Sequence, residues 1–298
     1  MRKPAVEKRS RARCEVMDMM KSIRSLQMND GTEIPQLGLG VMSVPRDMLP
    51  SLTCRAVDLG YRRFDTATHY GNEAELGEGL ARVEIDRDEI RVSTKVPDGM
   101  HGFDATLRAF DASEKALGRI DLYLIHWPQP AKKLYRETWR ALVLLQAERR
   151  VRSIGVANFP PALIQEIADD TGILPAVNQI ELHPRFQQPA TRAFNSANGI
   201  LTEAWSPLEN GRVLAHPLIV DIAERRGRSP AQVVLRWHLQ SGFVVIPKAA
   251  NGRHLADNLA AASFSLDEAE MMRIATLDTP SSAFGIDPML RQSDRGRI

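Results

Sequence analysis

Short apolar segments alternate with longer amphipathic segments along most of this 298-residue chain, and this alternation limits the possible folds more than any other feature. The apolar segments have the character of buried strands, whereas the segments between them carry apolar residues at helical spacing. Strands that alternate with helices form parallel sheets, and eight such units predict an α/β fold, a closed (β/α)8 TIM barrel. The predicted strands cover residues 37–39, 63–65, 90–94, 122–125, 153–156, 176–179, 201–204 and 244–246.

Helix boundaries support the same alternation. Ser229-Pro230 is typical of a helix start, because serine caps the helix and proline suits its first position. An N-terminal β-hairpin, with strands at 23–26 and 33–34, and an extra C-terminal helix at 266–277 are expected to flank the barrel. The predicted barrel helices cover 72–83, 103–117, 135–148, 161–169, 189–198, 217–226 and 230–240, and the glycines expected where helices stop are Gly60, Gly118, Gly199 and Gly242.

A doubly wound sheet is the alternative architecture. It usually carries a Gly-x-Gly-x-x-Gly turn after its first strand, where the backbone approaches a dinucleotide. Gly38 and Gly40 supply the first two glycines, but Met42-Ser43-Val44-Pro45 follows and the third glycine is missing. The barrel is therefore favoured.

Composition excludes several classes of partner. The net charge is +2 without a long basic stripe, which argues against nucleic acid, and no apolar run is long enough for a membrane span. Two cysteines, Cys14 and Cys54, indicate a reduced, cytoplasmic protein rather than a disulfide framework. Residues 1–22 are expected to be a disordered extension, and residues 23–298 a single barrel domain. Nothing resembles a dimer seam, so a monomer is the default.

Four chemically active side chains fall at the ends of three consecutive predicted strands or in the loop that follows. Asp65 ends the second strand, Tyr70 lies in its loop, Lys95 ends the third strand and His126 ends the fourth. In a (β/α)8 barrel the carboxyl ends of the strands meet at one face, where active sites lie. The sequence therefore predicts an acid, a phenol, an ammonium and an imidazole at one site.

The segments around these residues resemble the aldo-keto reductase family from about residue 26 to 287. The resemblance rests on Gly-Tyr-Arg-Arg-Phe-Asp-Thr-Ala, Tyr-Gly-Asn-Glu, Ser-Thr-Lys and Asp-Leu-Tyr-Leu-Ile-His-Trp-Pro, which contain the four residues. It implies that a nicotinamide cofactor reduces an aldehyde or ketone. Tyr70 would donate the proton, Lys95 would lower the pKa of the phenol, Asp65 would position Lys95, and His126 would orient the carbonyl oxygen. The alternative is a barrel that binds cofactor as a sensor or accessory subunit.

The resemblance also assigns the cofactor-binding residues. It implies that Asn158 and Gln179 hold the nicotinamide carboxamide and that Trp205 stacks on the ring, whereas Ser206 and Leu208 contact the pyrophosphate. Ala157 replaces a serine that is common at its position. One carboxamide hydrogen bond is therefore expected to be missing.

The adenosine end departs from the family pattern. The run Lys248-Ala249-Ala250-Asn251-Gly252-Arg253-His254, followed by Asn258, lacks the usual serine and carries histidine where an arginine is common. A guanidinium binds a phosphate more tightly than an imidazole, so Lys248 or Arg253 would have to compensate. The expected cofactor is NADPH, with NADH as a possible second cofactor.

The substrate pocket is expected to include Met42, Trp127 and Pro97, the last where many relatives have tryptophan. The short loop at 127–135 is similar to that of bacterial reductases for 2,5-diketo-gluconate, methylglyoxal and other small dicarbonyls. A hydrolase would need two facing carboxylates, and Glu181 has no evident partner in the sequence. No metal-ligand spacing is present.

Overall fold

The computed structural model describes residues 23–290, so the extension at 1–22 and Cys14 lie outside the described residues. The strands are β1 Ser25–Gln27, β2 Glu33–Pro35, β3 Leu39–Gly40, β4 Arg63–Asp65, β5 Arg91–Val96, β6 Leu122–Ile125, β7 Ser153–Ala157, β8 Val177–Glu181, β9 Leu201–Trp205 and β10 Val244–Val245. The α-helices are α1 Leu49–Asp58, α2 Glu73–Ala81, α3 Phe103–Leu117, α4 Tyr135–Ala147, α5 Pro161–Thr171, α6 Pro189–Ala197, α7 Pro217–Arg226, α8 Pro230–Gln240, α9 Gly252–Ala260 and α10 Glu268–Ala275.

Strands β3 to β10 form one parallel sheet in chain order. The two ends of this sheet meet through parallel bridges between Leu37 and Val245 and between Gly40 and Lys248. The amide of Gly38 donates to the Val245 carbonyl at 2.9 Å, and the Val245 amide donates to Gln36 at 2.8 Å. The predicted (β/α)8 barrel is therefore confirmed, with several strand boundaries shifted by one to two residues.

Gly38 and Gly40 lie where the first barrel strand approaches its neighbours on both sides closely. A Cβ at Gly38 would lie 2.8 Å from Cγ of Arg63, and a Cβ at Gly40 would lie 2.8 Å from the carbonyl oxygen of Ile246. Both distances are too short for a side chain. The Gly-x-Gly pair thus lets the first strand approach its neighbours in the barrel, which explains why the rest of a dinucleotide-binding turn is missing.

Helix termini follow the chemistry of their sequences. Ser229 accepts from the Gln232 amide while the Gln232 side chain accepts from the Ser229 amide, which forms a capping box at the start of α8. The four glycines predicted to stop helices all have positive φ, from 67° to 104°. The expected C-terminal helix is α10, shorter at both ends than predicted.

The expected N-terminal hairpin is β1 paired with β2, and it closes the amino end of the barrel. Met28 and Ile34 pack in one buried cluster with interior strand residues, namely Leu122, Leu124, Ala176, Val177 and Val244. The site is thereby left to the carboxyl ends of the strands. Within 23–290, no helix is long and apolar enough to cross a membrane.

Candidate active site

Asp65 and Lys95 form a buried ion pair at the carboxyl ends of β4 and β5. The Lys95 ammonium donates to Asp65 Oδ2 at 2.7 Å and to the Thr66 carbonyl at 2.8 Å. Ser93, also on β5, donates its hydroxyl to Asp65 Oδ1 at 2.6 Å. The carboxylate therefore fixes the position of the lysine, and the lysine side chain is fully buried.

Tyr70 lies above this pair at the end of the short 3-10 turn Thr68–Tyr70. The Lys95 nitrogen is 5.2 Å from the centre of the phenol ring. The turn is held by Asn72, whose side chain accepts from the Thr66 hydroxyl at 2.7 Å and donates to the Val41 carbonyl at 3.0 Å. These five hydrogen bonds hold the acid, the lysine and the phenol loop together.

Burial is the largest single influence on the pKa of both Tyr70 and Lys95. It raises the pKa of Tyr70 above its usual 10.0, although the Lys95 charge opposes the shift. Burial alone would lower the pKa of Lys95, but the Asp65 carboxylate and Tyr70 raise it above 10.5. The sequence predicted that the lysine lowers the phenol pKa. The effect of Lys95 has that sign, but desolvation is larger, so the phenol keeps its proton at neutral pH.

His126 follows β6 and faces the same opening. Its ring centre lies 6.2 Å from that of Tyr70, nearly perpendicular to it. Asn158 donates to the His126 carbonyl at 3.1 Å, and the Trp205 indole donates to Asn158 Oδ1 at 2.8 Å. Asn158 has a φ of 62°, a left-handed conformation that asparagine tolerates better than most residues. The structure thus connects the predicted catalytic and carboxamide-binding residues.

The side chains meet at a cavity of about 380 Å³ at the carboxyl end of the barrel. Its wall includes most of the predicted residues, namely Met42, Asp65, Tyr70, His126, Trp127, Asn158, Gln179, Trp205, Ser206, Leu208 and Lys248. Lys95 is buried beneath this wall. Pro97, Arg253, His254 and Asn258 do not line the cavity.

The four predicted residues that do not line the cavity lie on α9 and after β5. Arg253 and His254 are exposed in the first turn of α9, where Asn251 caps the helix by accepting from the His254 amide at 2.9 Å. Asn258 is buried on the same helix. Pro97 is partly buried beside the short turn after β5. Arg253, His254 and Asn258 therefore lie on one helix.

The loop after β9 supplies wall residues that the sequence did not reveal. Ser206 and Asn210 have φ values of 48° and 51°, and Gly211 has 89°. Asn210 and Gly211 line the cavity, as do Ser43 and Pro207. An Asn-Gly pair favours left-handed backbone, so this pair after a strand could have indicated a tight loop at the site. Beneath it, the buried His238 ring contacts the Pro207 carbonyl with Nε2 at 3.3 Å.

The C-terminal segment covers one side of the opening. Glu181 at the end of β8 accepts from the Ser282 hydroxyl at 2.5 Å and from the Ala283 amide at 2.9 Å. Phe284 then packs on Trp205 with ring centres 5.5 Å apart. A second cavity of about 160 Å³ lies between this segment and Trp127. Glu181 thus anchors this loop. Within 23–290 no group of three or more potential ligands could hold a metal ion.

Comparisons with known proteins agree with this geometry. The model of the Aldo/keto reductase family matches residues 36–279. An aldo-keto reductase of Mycobacterium sp. (strain JLS) is 45% identical over 263 residues, which cover 88% of this chain and 95% of that protein. Methylglyoxal reductase DkgA of Escherichia coli (strain K12) is 40% identical over 265 residues, 88% of this chain and 96% of that protein. A solved structure of a Gox0644 mutant in complex with NADPH has a TM-score of 0.86 and 47% identity, and the match covers 89% of this chain and 97% of that chain.

A barrel of this topology with this match is an oxidoreductase. The chain belongs to the Aldo/keto reductase family, and the resemblance inferred from its motifs is confirmed.

Proposed function

We propose that this protein reduces small aldehydes and ketones, dicarbonyls among them, with NADPH and with Tyr70 as the proton donor. The observation that carries the proposal is the Asp65–Lys95 pair, held by a 2.7 Å contact beneath a phenol that opens into a cavity. The relatives support the substrate and cofactor classes, because one is named a methylglyoxal reductase and another was solved with NADPH. Methylglyoxal and 2,5-diketo-gluconate are the proposed dicarbonyls.

The cavity wall suits a nicotinamide cofactor. The amide oxygen of Gln179 can accept from a carboxamide, because the described hydrogen bonds of this side chain use only its nitrogen. Trp205 offers an apolar ring surface, and the left-handed loop at 206–211 brings backbone close to the cavity. Lys248 adds a positive charge at the rim. The residues present therefore fit the cofactor, which supplies hydride when bound.

Proton delivery is the task of the protein. Negative charge grows on the carbonyl oxygen during reduction and must be met by positioned donors. Tyr70 holds a proton because its pKa is raised by burial, and Lys95 stabilises the phenolate that remains after transfer. His126 would orient the same oxygen, and Trp127 forms part of the cavity wall.

A direct assay tests the reaction. Oxidation of NADPH is followed by absorbance with methylglyoxal, 2,5-diketo-gluconate and simple aldehydes as substrates. We expect turnover on the order of 10 per second with at least one carbonyl, which is the median for enzymes. Tight NADPH binding without oxidation for any carbonyl would instead identify a sensor or accessory barrel.

Cofactor preference depends on the exposed first turn of α9. Because a guanidinium binds a 2′-phosphate through two charge-assisted hydrogen bonds, His254→Arg should raise kcat/KM for NADPH about tenfold and leave NADH nearly unchanged. The measurement is the ratio of kcat/KM for the two cofactors in wild type and variant. Arg253→Ala is the companion variant, and a loss of NADPH preference would show that Arg253 binds the phosphate. A wild-type ratio at or below one would contradict the assignment of NADPH.

A further inference from the structure

A second buried ion pair lies in the barrel interior next to the residues just described. Arg63 on β4 and Glu203 on β9 are both fully buried. The Arg63 guanidinium donates from Nε to Glu203 Oε1 at 3.1 Å and makes a second, shorter contact from Nη2. Two complete charges in a barrel core are costly to desolvate, so apolar residues of similar volume would often be at least as stable. Their presence calls for a reason other than stability.

Gln179 connects this pair to Asp65. Its amide nitrogen donates to Glu203 Oε2 at 2.9 Å and to Asp65 Oδ1 at 3.0 Å. An amide placed between two carboxylates must turn its nitrogen toward them, because its oxygen would be repelled. The side chain can therefore hold only one orientation. Its oxygen is left as the polar atom that can face a ligand in the cavity, whose wall includes Gln179.

The first strand is adapted to the same arrangement. Because a Cβ at Gly38 would lie 2.8 Å from Arg63 Cγ, the glycine provides the space that the arginine stem occupies. The buried position of the Arg63 side chain therefore depends on the absence of a side chain at Gly38. The four charges Arg63, Glu203, Asp65 and Lys95 sum to zero, so the interior remains neutral as long as both pairs are intact.

We propose that Glu203 and Arg63 are positioning residues for carbonyl reduction, which hold Gln179 so that its nitrogen fixes Asp65 and its oxygen faces the cofactor. The proposal rests on the function proposed above. The proposed role differs from a purely structural one. It places the Glu203 charge, which is balanced by Arg63, beside the groups that support proton donation by Tyr70. The charged and titratable groups around Tyr70 are Asp65 at the end of β4, His69 in the same turn, Lys95 from β5, His126 after β6, and Glu203 from β9 with its partner Arg63.

The first variant removes one charge and keeps the shape. Glu203→Gln leaves the Arg63 charge uncompensated near Lys95, which favours the ionised phenol at Tyr70 and disturbs the orientation of Gln179. We expect kcat to fall about tenfold and the KM for NADPH to rise a few-fold, while the KM for the carbonyl stays unchanged. The alkaline limb of the profile of kcat against pH should move down by about half a unit or more.

The second variant restores neutrality. Arg63→Met with Glu203→Gln removes both charges, so the alkaline limb should return to the wild-type position and kcat should recover in part. The control is Glu270→Gln, which breaks a pair at 2.7 Å between the buried Glu270 on α10 and the exposed Arg226 on α7. It should lower thermal stability without moving the pH profile. The double variant also keeps the test informative if Glu203→Gln alone folds poorly.

The outcomes separate the two proposals. An unchanged kcat and pH profile for Glu203→Gln, or a double variant that shows no recovery, overturns the positioning role. If either of these results is found while Tyr70→Phe is inactive in the same assay, the positioning role is refuted and the proposed reaction stands. If Tyr70→Phe is fully active, the proposed reaction fails as well.

Discussion

Replacement of Tyr70 by phenylalanine is expected to lower kcat at least about a hundredfold while NADPH still binds. The substitution removes only the hydroxyl that would protonate the carbonyl oxygen, and the ring remains beside Lys95, whose nitrogen is 5.2 Å from its centre. The predicted cofactor-binding residues keep their contacts, because the Trp205 indole donates to Asn158 and Asn158 donates to the His126 carbonyl. Steady-state oxidation of NADPH and quenching of tryptophan fluorescence by NADPH measure the two properties separately.

The matched control is Tyr135→Phe. Tyr135 is also nearly buried and donates its hydroxyl to Glu166, but it lies on α4 and away from the cavity. Its variant should keep wild-type turnover. Near-normal turnover of the Tyr70 variant would remove this residue from the chemistry, and loss of NADPH binding would show that its main role is in the cofactor site.

Acid is expected to destabilise the protein through His238. Burial lowers the pKa of this imidazole from 6.5 to about 3. Above pH 6.5 both the folded and the unfolded state hold the neutral ring, and the free energy of unfolding is at its full value. Below this pH the His238 ring binds a proton in the unfolded chain but not in the folded protein. The free energy of unfolding therefore falls until the pH approaches 3. The loss from this one residue amounts to roughly 4 to 5 kcal/mol over that range.

His238→Gln should remove this dependence and keep a donor for the Pro207 carbonyl, which the ring contacts at 3.3 Å. Lost packing against Trp237 and Phe243 should lower stability at neutral pH by about 1 to 2 kcal/mol. Urea unfolding between about pH 7.5 and 4 should then show a slope shallower than wild type by up to about 1.4 kcal/mol per pH unit. His254→Gln, which removes an exposed imidazole, should leave the wild-type slope. Equal slopes for wild type and the His238 variant would refute this account.

The sequence predicted the architecture because the elements follow local rules. Strand β6 was located at its observed boundaries, since it is a buried apolar run between polar residues. The third barrel strand was predicted to stop before Lys95, whereas β5 continues to Val96. In a sequence, a charged side chain after an apolar run indicates the end of a strand. Lys95 can lie inside β5 because its charge is paired with Asp65 on the neighbouring strand. Pairing between strands cannot be read from one segment.

The same limit explains the residues that sequence reasoning missed. Arg63 and Glu203 lie on strands that are far apart in the chain, and only the closed barrel brings their side chains together. Gly38 was considered as part of a failed nucleotide-binding motif, because its real neighbour, Arg63, belongs to the next strand. The acid, phenol, lysine and imidazole were found because their loops and strand ends carry recognisable local contexts. The predicted roles of Pro97, Asn258 and the N-terminal extension stay predictions.

The seam between the first and last strands has a consequence for how the protein acquires its site. Gly40 and Lys248 bridge this seam and both line the cavity. The last barrel strand is short, and contacts between distant parts of a chain form slowly because a long loop must be closed. During synthesis the cavity therefore has no complete wall until the eighth strand docks. A ligand that contacts residues on both sides of this seam binds only the closed barrel. Its binding energy therefore stabilises the closed barrel relative to a chain whose last strand has not docked.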